Sequence, residues 1–371
     1  SGIQALTAVE RKDVREVIAV DINENAIKEL KKEVSKKKIR KIAVKKSDLF
    51  SNVKDKFDTI IFNPPYLPQD KIGNEIIEDS ALYGGKHGWE LSEKFFIKVN
   101  QFLVAKGKIL FLFSSLTNKE KIEEIISHNL LEFKELEKQK LPMFETLYVY
   151  LIEKSKILKE LERKNIENLK YLTHGKRGNI FTGISDKSKR VKTHFAKKEI
   201  VKVGIKVKRK ESSAIERMRN EANWLKILNK KNIGPRLLFS GEDYLVYEFV
   251  EGEFILDWIK DNNKKDIQKV LVAVLKQCFE LDQLGVNKEE MHHPLKHIIV
   301  TKDNHPVLLD FERCSRSDKV KNVTQFVEFI CRIREELENK DIKLNKIDLR
   351  EKAKSYKDDI NPKNLEIIIK Y

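Results

Sequence analysis

Nowhere in the 371 residues does an apolar run approach the roughly 20 residues a helix needs to cross a bilayer, so no membrane span is predicted. Ser1 to Arg11 lacks a basic start followed by an apolar stretch, and the expected location is the cytoplasm. Cysteine is scarce. Cys278, Cys314 and Cys331 are odd in number and never spaced as Cys-x-x-Cys, which argues against a disulfide framework and a thiolate zinc site and leaves reduced, structural thiols. Internal repeats and low-complexity tracts are also missing, which excludes a solenoid.

What is present is length and charge. A chain of this size exceeds what one core usually organises, so two domains are expected. Hydrophobic residues at 40% and charged residues at 36% fit a heavily charged globular protein. Lys and Arg number 74 against 58 Asp and Glu, a net charge of +16. That excess fits contact with RNA or an RNA-bound partner through a basic surface, and equally a lysine-rich habit that serves solubility or heat resistance.

Hydrophobic periodicity divides the chain. Over residues 1–153, Val17 to Val20, Ile42 to Val44, Thr59 to Phe62 and Lys108 to Phe113 read as short buried strands, with helical periodicity from Asn25 to Ser35 and from Trp89 to Val104. FKELEKQK and TLYVYLIEK, either side of Leu141-Pro142-Met143, read as an antiparallel pair closing a sheet edge. Residues 154–168 read as a charged helical linker. Residues 169–345 open on strands (Asn179 to Gly183, Ile200 to Val207, Tyr244 to Phe249) and continue with a long helix from Asp266 to Leu284, an order that suits two unequal lobes. Residues 346–371 read as a charged tail.

The first region carries its chemistry at strand ends. Asp21 closes the strand VIAV, where a carboxylate can accept two hydrogen bonds from ribose hydroxyls, although an Asp there is also a common helix cap. Gly2, 19 positions earlier, resembles the last part of a glycine loop that approaches a nucleoside cofactor. Asp48, in SDLF, lies where it can meet an adenine amine. Directly after the strand TIIF comes Asn63-Pro64-Pro65-Tyr66. Two prolines fix an extended turn, so the Asn63 amide oxygen and the Pro64 carbonyl can accept the two hydrogens of a planar NH2 group while Tyr66 stacks on it. Such a dipeptide also makes plain turns, but here it falls at the carboxyl edge where open α/β sheets bind ligands.

SGIQAL, AVDIN, SDLF, NPPY and ALYGGKHGWE together resemble the class I methyltransferases of the HemK type, in their archaeal branch, which methylate a glutamine side-chain amide in translation release factors. The resemblance implies S-adenosylmethionine as cofactor, bound through Gly2, Asp21, Asp48 and Asn63, with Asn63, Pro64, Pro65 and Tyr66 at the acceptor and a release factor or another ribosome-associated protein as partner. The segment Ala81 to Glu90 is similar to the family's Gly-Gly loop, which separates these enzymes from nucleic-acid amino methyltransferases that share NPPY. Methylation of an exocyclic adenine amine in RNA or DNA is the alternative. The chain begins inside the cofactor loop at Ser1, so the first strand and the leading glycines are expected to be missing and the cofactor pocket to be open on one side.

The second region pairs Lys206, in the strand VGIKVKR, with Glu221 in RNEANWLKIL, a spacing equally open to plain surface charges. Gly175-Lys176-Arg177-Gly178 forms a short glycine loop upstream; YLVYEFVEG places Glu248 at a hinge; VLLDFERC places Asp310 after a strand. Leu169 to about Ser315 resembles the archaeal predicted serine/threonine kinases related to the Rio and Bud32 groups. That implies ATP and Mg2+, with Gly175, Gly178 and Glu248 at the nucleotide, Lys206 on phosphate, Glu221 as its ion-pair partner and Asp310 on magnesium. The usual Asp-Phe-Gly is here Asp310-Phe311-Glu312, and the catalytic loop reads MHHPLKHIIV. Kinase spacing puts His297 in the place of a metal-binding Asn and His292 in that of the catalytic Asp, with Glu290 as the substitute base. A catalytically silent ATP-binding adaptor is the alternative. A zinc site of His292, His293 and His297 is disfavoured by Pro294, which interrupts any helix that would align them.

The expected fold class is therefore α/β, a class I (Rossmann-like) methyltransferase mixed sheet followed by a two-lobed protein-kinase-like α+β domain.

Overall fold

The computed structural model describes residues 2–69, 71–72, 75–76, 82–142, 144–175, 178–186, 199–209 and 215–370. The chain divides into two compact units, Ser1–Lys164 and Asn165–Tyr371.

The first unit opens with α1 (Ile3–Val9), β1 (Val17–Asp21), α2 (Glu24–Lys36), β2 (Ile42–Lys46) and β3 (Phe57–Phe62). Four short strands follow: β4 (Leu67–Pro68), β5 (Lys71–Ile72), β6 (Glu75–Ile76) and β7 (Tyr83–Gly85). The unit continues with α3 (Glu90–Val99), β8 (Leu103–Ser114), α4 (Lys119–His128), β9 (Leu131–Lys140), β10 (Thr146–Lys154) and α5 (Lys156–Arg163). β1 and β2 pair in parallel. A second sheet has the order β3-β8-β10-β9, with β3 parallel to β8 and β10 antiparallel to both neighbours. Among the described residues β1 pairs only with β2 and β3 only with β8, so each keeps an open edge.

β8 carries the core. Ile109, Phe111 and Phe113 alternate inward and are fully buried, as period-2 side chains on a covered face must be. Phe62 stacks on Phe95 at 3.9 Å, Phe96 meets Phe111 edge-on, and Tyr150 packs against Phe113 and Phe133. These aromatic contacts fix the end of β3, from which the Asn63 loop departs.

Three sequence boundaries move. The helix expected from Trp89 to Val104 ends at Val99, because Leu103 is fully buried at the start of β8 and pairs with Phe57. Residues 154–168, expected as a charged helical linker, contain α5. Ser155 caps α5 through Leu158 N, Leu158 and Leu161 are buried, and the buried Lys154 ammonium donates to Glu162 at 2.7 Å. β11 (Ile166–His174) then starts the second unit.

That unit begins as a five-stranded antiparallel sheet of order β11-β12-β13-β15-β14. Its further strands are β12 (Gly178–Asp186), β13 (Ile200–Lys208), β14 (Leu237–Ser240) and β15 (Tyr244–Glu248), with α6 (Ile215–Leu228) between β13 and β14. Next come β16 (Glu253–Phe254), α7 (Ile255–Asp261), α8 (Lys264–Gln283), β17 (Val286–Asn287), β18 (Ile298–Val300), β19 (Pro306–Leu308) and β20 (Ser315–Arg316). α9 (Asn322–Arg332), α10 (Arg334–Glu338), α11 (Lys346–Asp358) and α12 (Pro362–Ile369) complete it. In α8, Ile267, Val270, Leu271, Val274, Leu275 and Cys278 form one buried stripe at helical spacing.

Residues 346–371, expected as a charged tail, contain α11 and α12, which bury Leu349, Ala353, Tyr356, Leu365 and Ile368 in the same core. No helix among the described residues is long and apolar enough to cross a membrane.

Candidate functional site

In the first unit the strand ends converge on one cleft of about 2390 Å3, lined by Gly2, Asp21, Asp48 and the whole run Asn63-Pro64-Pro65-Tyr66. Gly2 caps α1 with φ 68°, a left-handed conformation that favours glycine, and a Cβ there would lie 2.4 Å from Leu30 Cδ1, so that the leucine side chain would have to shift. Asp21 ends β1, with Oδ1 accepting from the Asn23 amide at 2.9 Å. Asp48 follows β2 in a turn closed by the Asp48 amide donating to Ser51 Oγ at 3.0 Å.

The loop after β3 is gripped by the glycine loop around β7. A Cβ on Gly84 would stand 2.5 Å from the Pro65 carbonyl oxygen, and one on Gly88, at φ 86°, would stand 2.4 Å from that of Tyr66. Leu67 N donates to Leu82 O at 3.0 Å, and Gln69 N to Gly85 O at 3.1 Å. The two glycines thus let one main chain lie directly on the other and hold the Asn-Pro-Pro-Tyr turn at the cleft wall. Of the expected segment Ala81 to Glu90, Ala81 lies outside the described residues. Ser1 lies outside them too.

Sequence reasoning missed Glu145, which lines the same cleft and accepts from Ser114 Oγ at 2.7 Å. Burial, and then the Glu145 carboxylate, raise the Tyr66 phenol above its ordinary pKa, so Tyr66 stays neutral and serves as a flat surface and hydrogen-bond donor. Among the described residues nine carboxylate side chains line the cleft against five lysines and arginines, spread along the whole length of β1 and β3; Asp21, Asp48, Glu90 and Glu145 are the ones toward the Asn63 end. Carboxylates at that end favour a sulfonium cation and disfavour a polyphosphate.

In the second unit Lys206 Nζ, on β13, donates to Glu221 Oε2 of α6 at 2.7 Å, and lies 3.4 Å from Asp310 Oδ1 and 3.2 Å from Glu312 Oε2. Glu221, Asp310 and Glu312 bring carboxylate oxygens within 4.8 Å of one another. Burial works against the Lys206 charge, but these carboxylates outweigh it and raise its pKa. At Asp310, burial is likewise outweighed by Lys206 and then Lys288, and the carboxyl falls below its usual range. Gly175 N donates to Gly178 O at 2.8 Å across the β11–β12 turn; Lys176 and Arg177 between them lie outside the described residues. Glu248 ends β15, with Oε1 accepting from Arg236 Nη1 at 3.3 Å.

Glu290 and His297 lie side by side: His297 Nε2 lies 3.4 Å from Glu290 Oε2, and Arg313 holds the other Glu290 oxygen at 2.7 Å. Burial, then Lys288, lower the His297 pKa, which leaves a neutral ring. Glu312 was open to view as the residue that replaces the glycine after Asp310-Phe311. Lys288 had no sequence signal at all, because its partner is 22 residues away.

Comparison with known proteins bears on the first unit. Residues 1–140 match the family model described as methyltransferase small domain. Among individual proteins, the chain is 40% identical over 122 residues to a Methanocaldococcus jannaschii protein named as a candidate protein N5-glutamine methyltransferase, covering 32% of this chain and 60% of that one. It is 29% identical over 115 residues to the release factor glutamine methyltransferase of Streptococcus pneumoniae, covering 29% of this chain and 41% of the relative. The chain thus spans less than two thirds of either relative. A solved methyltransferase from Pyrococcus furiosus aligns at a TM-score of 0.30 with 22% identity, over 41% of this chain and 69% of that one, too loosely to bear on function.

Proposed function

We propose that residues 1–164 transfer a methyl group from S-adenosylmethionine to a planar side-chain amide, that of a glutamine in a translation release factor or another ribosome-associated protein, in the cytoplasm. The observation that carries this reading is the clasp of Gly84 and Gly88 on the main chain of Asn63-Pro64-Pro65-Tyr66, at a cleft shared with Gly2, Asp21 and Asp48. The cofactor supplies an electrophilic sulfonium methyl; the protein supplies position. Asp21 accepts from ribose hydroxyls, Asp48 from the adenine amine, and Gly2 brings bare backbone close. Asn63 Oδ1 and the Pro64 carbonyl accept the two N–H groups of the acceptor, and Tyr66 covers its flat face. An amide nitrogen so held would be aligned and dry; it would take the methyl as the sulfur–methyl bond breaks to leave a neutral thioether, and one of the N–H protons engaged by Asn63 and Pro64 would then pass to solvent, so that no strong base is needed.

The names of the relatives and the acidity of the cleft both favour a protein acceptor over an RNA or DNA amino group. Incubation with isotopically labelled S-adenosylmethionine, a release factor and RNA tests this. Label is expected on glutamine in the protein; label on RNA alone would overturn the choice.

For residues 165–371 we propose Mg2+-dependent ATP binding of a serine/threonine-kinase-like kind. Lys206, held by Glu221 at 2.7 Å, would contact phosphate, Asp310 the metal, Gly175 and Gly178 the phosphate edge, and Glu248 the adenine edge. Bound Mg-ATP would supply a transferable phosphoryl group. Glu290 is the candidate base and His297 a candidate metal contact. Their engagement with each other and with Arg313 also favours the silent-adaptor alternative, since a base tied into an ion pair is poorly placed to take a proton. Asp310→Ala is expected to weaken ATP binding about tenfold or more with Mg2+ present, the scale of one lost charge-assisted contact. Equal affinity by titration calorimetry would remove Asp310 from the metal.

A further inference from the structure

One buried charge in the second unit has no part in the reading above. Lys288 follows β17 and is 1% exposed. A fully enclosed ammonium costs several kcal/mol unless its surroundings repay it, so a lysine serving only to fill space would be better replaced by Met or Leu. Its surroundings are specific. Nζ donates to the main-chain oxygen of Asp310 at 3.1 Å and lies 5.3 Å from the ring centroid of Phe311. The Lys288 backbone is anchored independently: its amide donates to Asn322 Oδ1 at 2.8 Å, and Asn322 Nδ2 donates to Asp282 Oδ1 at 2.7 Å and to Val286 O at 2.6 Å. A hydrogen-bonded chain therefore runs from Asp282 of α8, through Asn322 of α9, to the carbonyl of Asp310.

Asp310 needs such support. Its φ is 61°, a left-handed conformation that a residue with a side chain adopts only when its surroundings impose it. This geometry lets the carbonyl meet Lys288 while the carboxylate meets Lys206 at 3.4 Å. The residues that follow are held from α6: Glu221 Oε1 accepts from Phe311 N at 3.4 Å, Asn220 Nδ2 donates to Glu312 O at 3.0 Å, and Trp224 Nε1 to Cys314 O at 2.8 Å. Those contacts fix residues 311–314 from one side. Lys288 is the group that grips Asp310 itself from the other.

We propose that Lys288 is a positioning residue, whose ammonium holds the Asp310 main chain in its left-handed turn and so aims the Asp310 carboxylate at the metal that accompanies a bound nucleotide. The role rests on the ATP-binding reading of this unit, and acts through Asp310 without touching nucleotide.

The test uses the full chain with two readouts. The first is ATP affinity by titration calorimetry, with and without Mg2+. Lys288→Met is expected to keep Mg-free affinity within about twofold but to lose about tenfold or more of the enhancement by Mg2+, and Lys288→Arg to restore most of it, on the scale of one charge-assisted hydrogen bond. The second is deuterium uptake over residues 309–314 without nucleotide. Uptake is expected to rise in Lys288→Met and return toward the parent level in Lys288→Arg. If the Met variant fails to fold, Lys288→Gln, which keeps a donor and drops the charge, is read in its place. Parent-like Mg2+ enhancement in a folded, uncharged variant, or parent-like uptake, overturns the proposal. If the parent itself binds no ATP, the nucleotide reading falls, and the exchange readout alone then decides whether Lys288 holds Asp310.

Discussion

Asn63 has to do with an amide oxygen what many enzymes do with a base. Its task is to engage one N–H of a poor nucleophile and leave the nitrogen lone pair in line with the methyl carbon. No proton is taken in the attacking step, so the contribution is one of orientation and of charge met in the transition state. Asn63→Ala is therefore expected to lower kcat about 10²–10³-fold, as removal of one such polar contact does elsewhere, with little change in cofactor affinity. Single-turnover methyl transfer beside cofactor titration separates the two. A matching loss of cofactor affinity would mean that Asn63 serves the cofactor more than the acceptor. Gly84 is the second residue to probe. A methyl group there meets the Gly88 and Pro65 carbonyl oxygens at 2.3 and 2.5 Å, neither of which belongs to a flexible side chain. Gly84→Ala should part the two loops at a cost of about 1–3 kcal/mol and reduce transfer as strongly as Asn63→Ala, although it removes no polar group. Full activity in this variant would show that the loops need not touch.

At the scale of elements, α11 shows how charge hides structure. Its sequence, KIDLREKAKSYKD, is rich in solvated residues, and only Leu349, Ala353 and Tyr356 turn inward. Tyr356 is fully buried, and its hydroxyl donates to Asp282 Oδ2 at 3.0 Å, tying α11 to α8. Tyr356→Phe should cost about 1–3 kcal/mol in urea unfolding, because a buried carboxylate oxygen loses a donor. Burial raises the Asp282 pKa above its ordinary value, and the hydroxyl serves the ionised form. The cost should thus be largest above the folded pKa and shrink as acid protonates Asp282; a pH-independent cost would remove the carboxylate from the explanation. The inward spacing of three and four residues was legible in the sequence, but the density of charge concealed it. Asn63 and Asp21 were legible because prolines and strand ends announce themselves locally. The Glu312 and Lys288 contacts were not, since they join residues far apart in sequence and arise only from packing. The antiparallel β9–β10 pair was marked by its own turn residues, whereas the end of α3 was blurred by apolar residues shared between helix and strand.

Over the whole chain the sign of charge and the sign of the site disagree. The chain carries +16, yet among the described residues the cleft of the first unit is lined by nine carboxylates and five basic groups. The positive excess therefore lies elsewhere, and it can attract RNA without bringing RNA to Asn63. Association of that kind is driven by counterion release, with log K falling about 0.7 per phosphate contact for each log unit of salt on a single strand. Within the cleft the opposite field acts at short range, over a Debye length of about 10 Å at 0.1 M salt. The two effects separate in one experiment. RNA should bind the full chain at low salt and release steeply as salt rises, while excess RNA leaves the rate of methyl transfer to a release factor unchanged. Competitive inhibition by RNA against the protein acceptor would place the nucleic acid in the cleft, and the acceptor would then have to be sought among bases instead of glutamines.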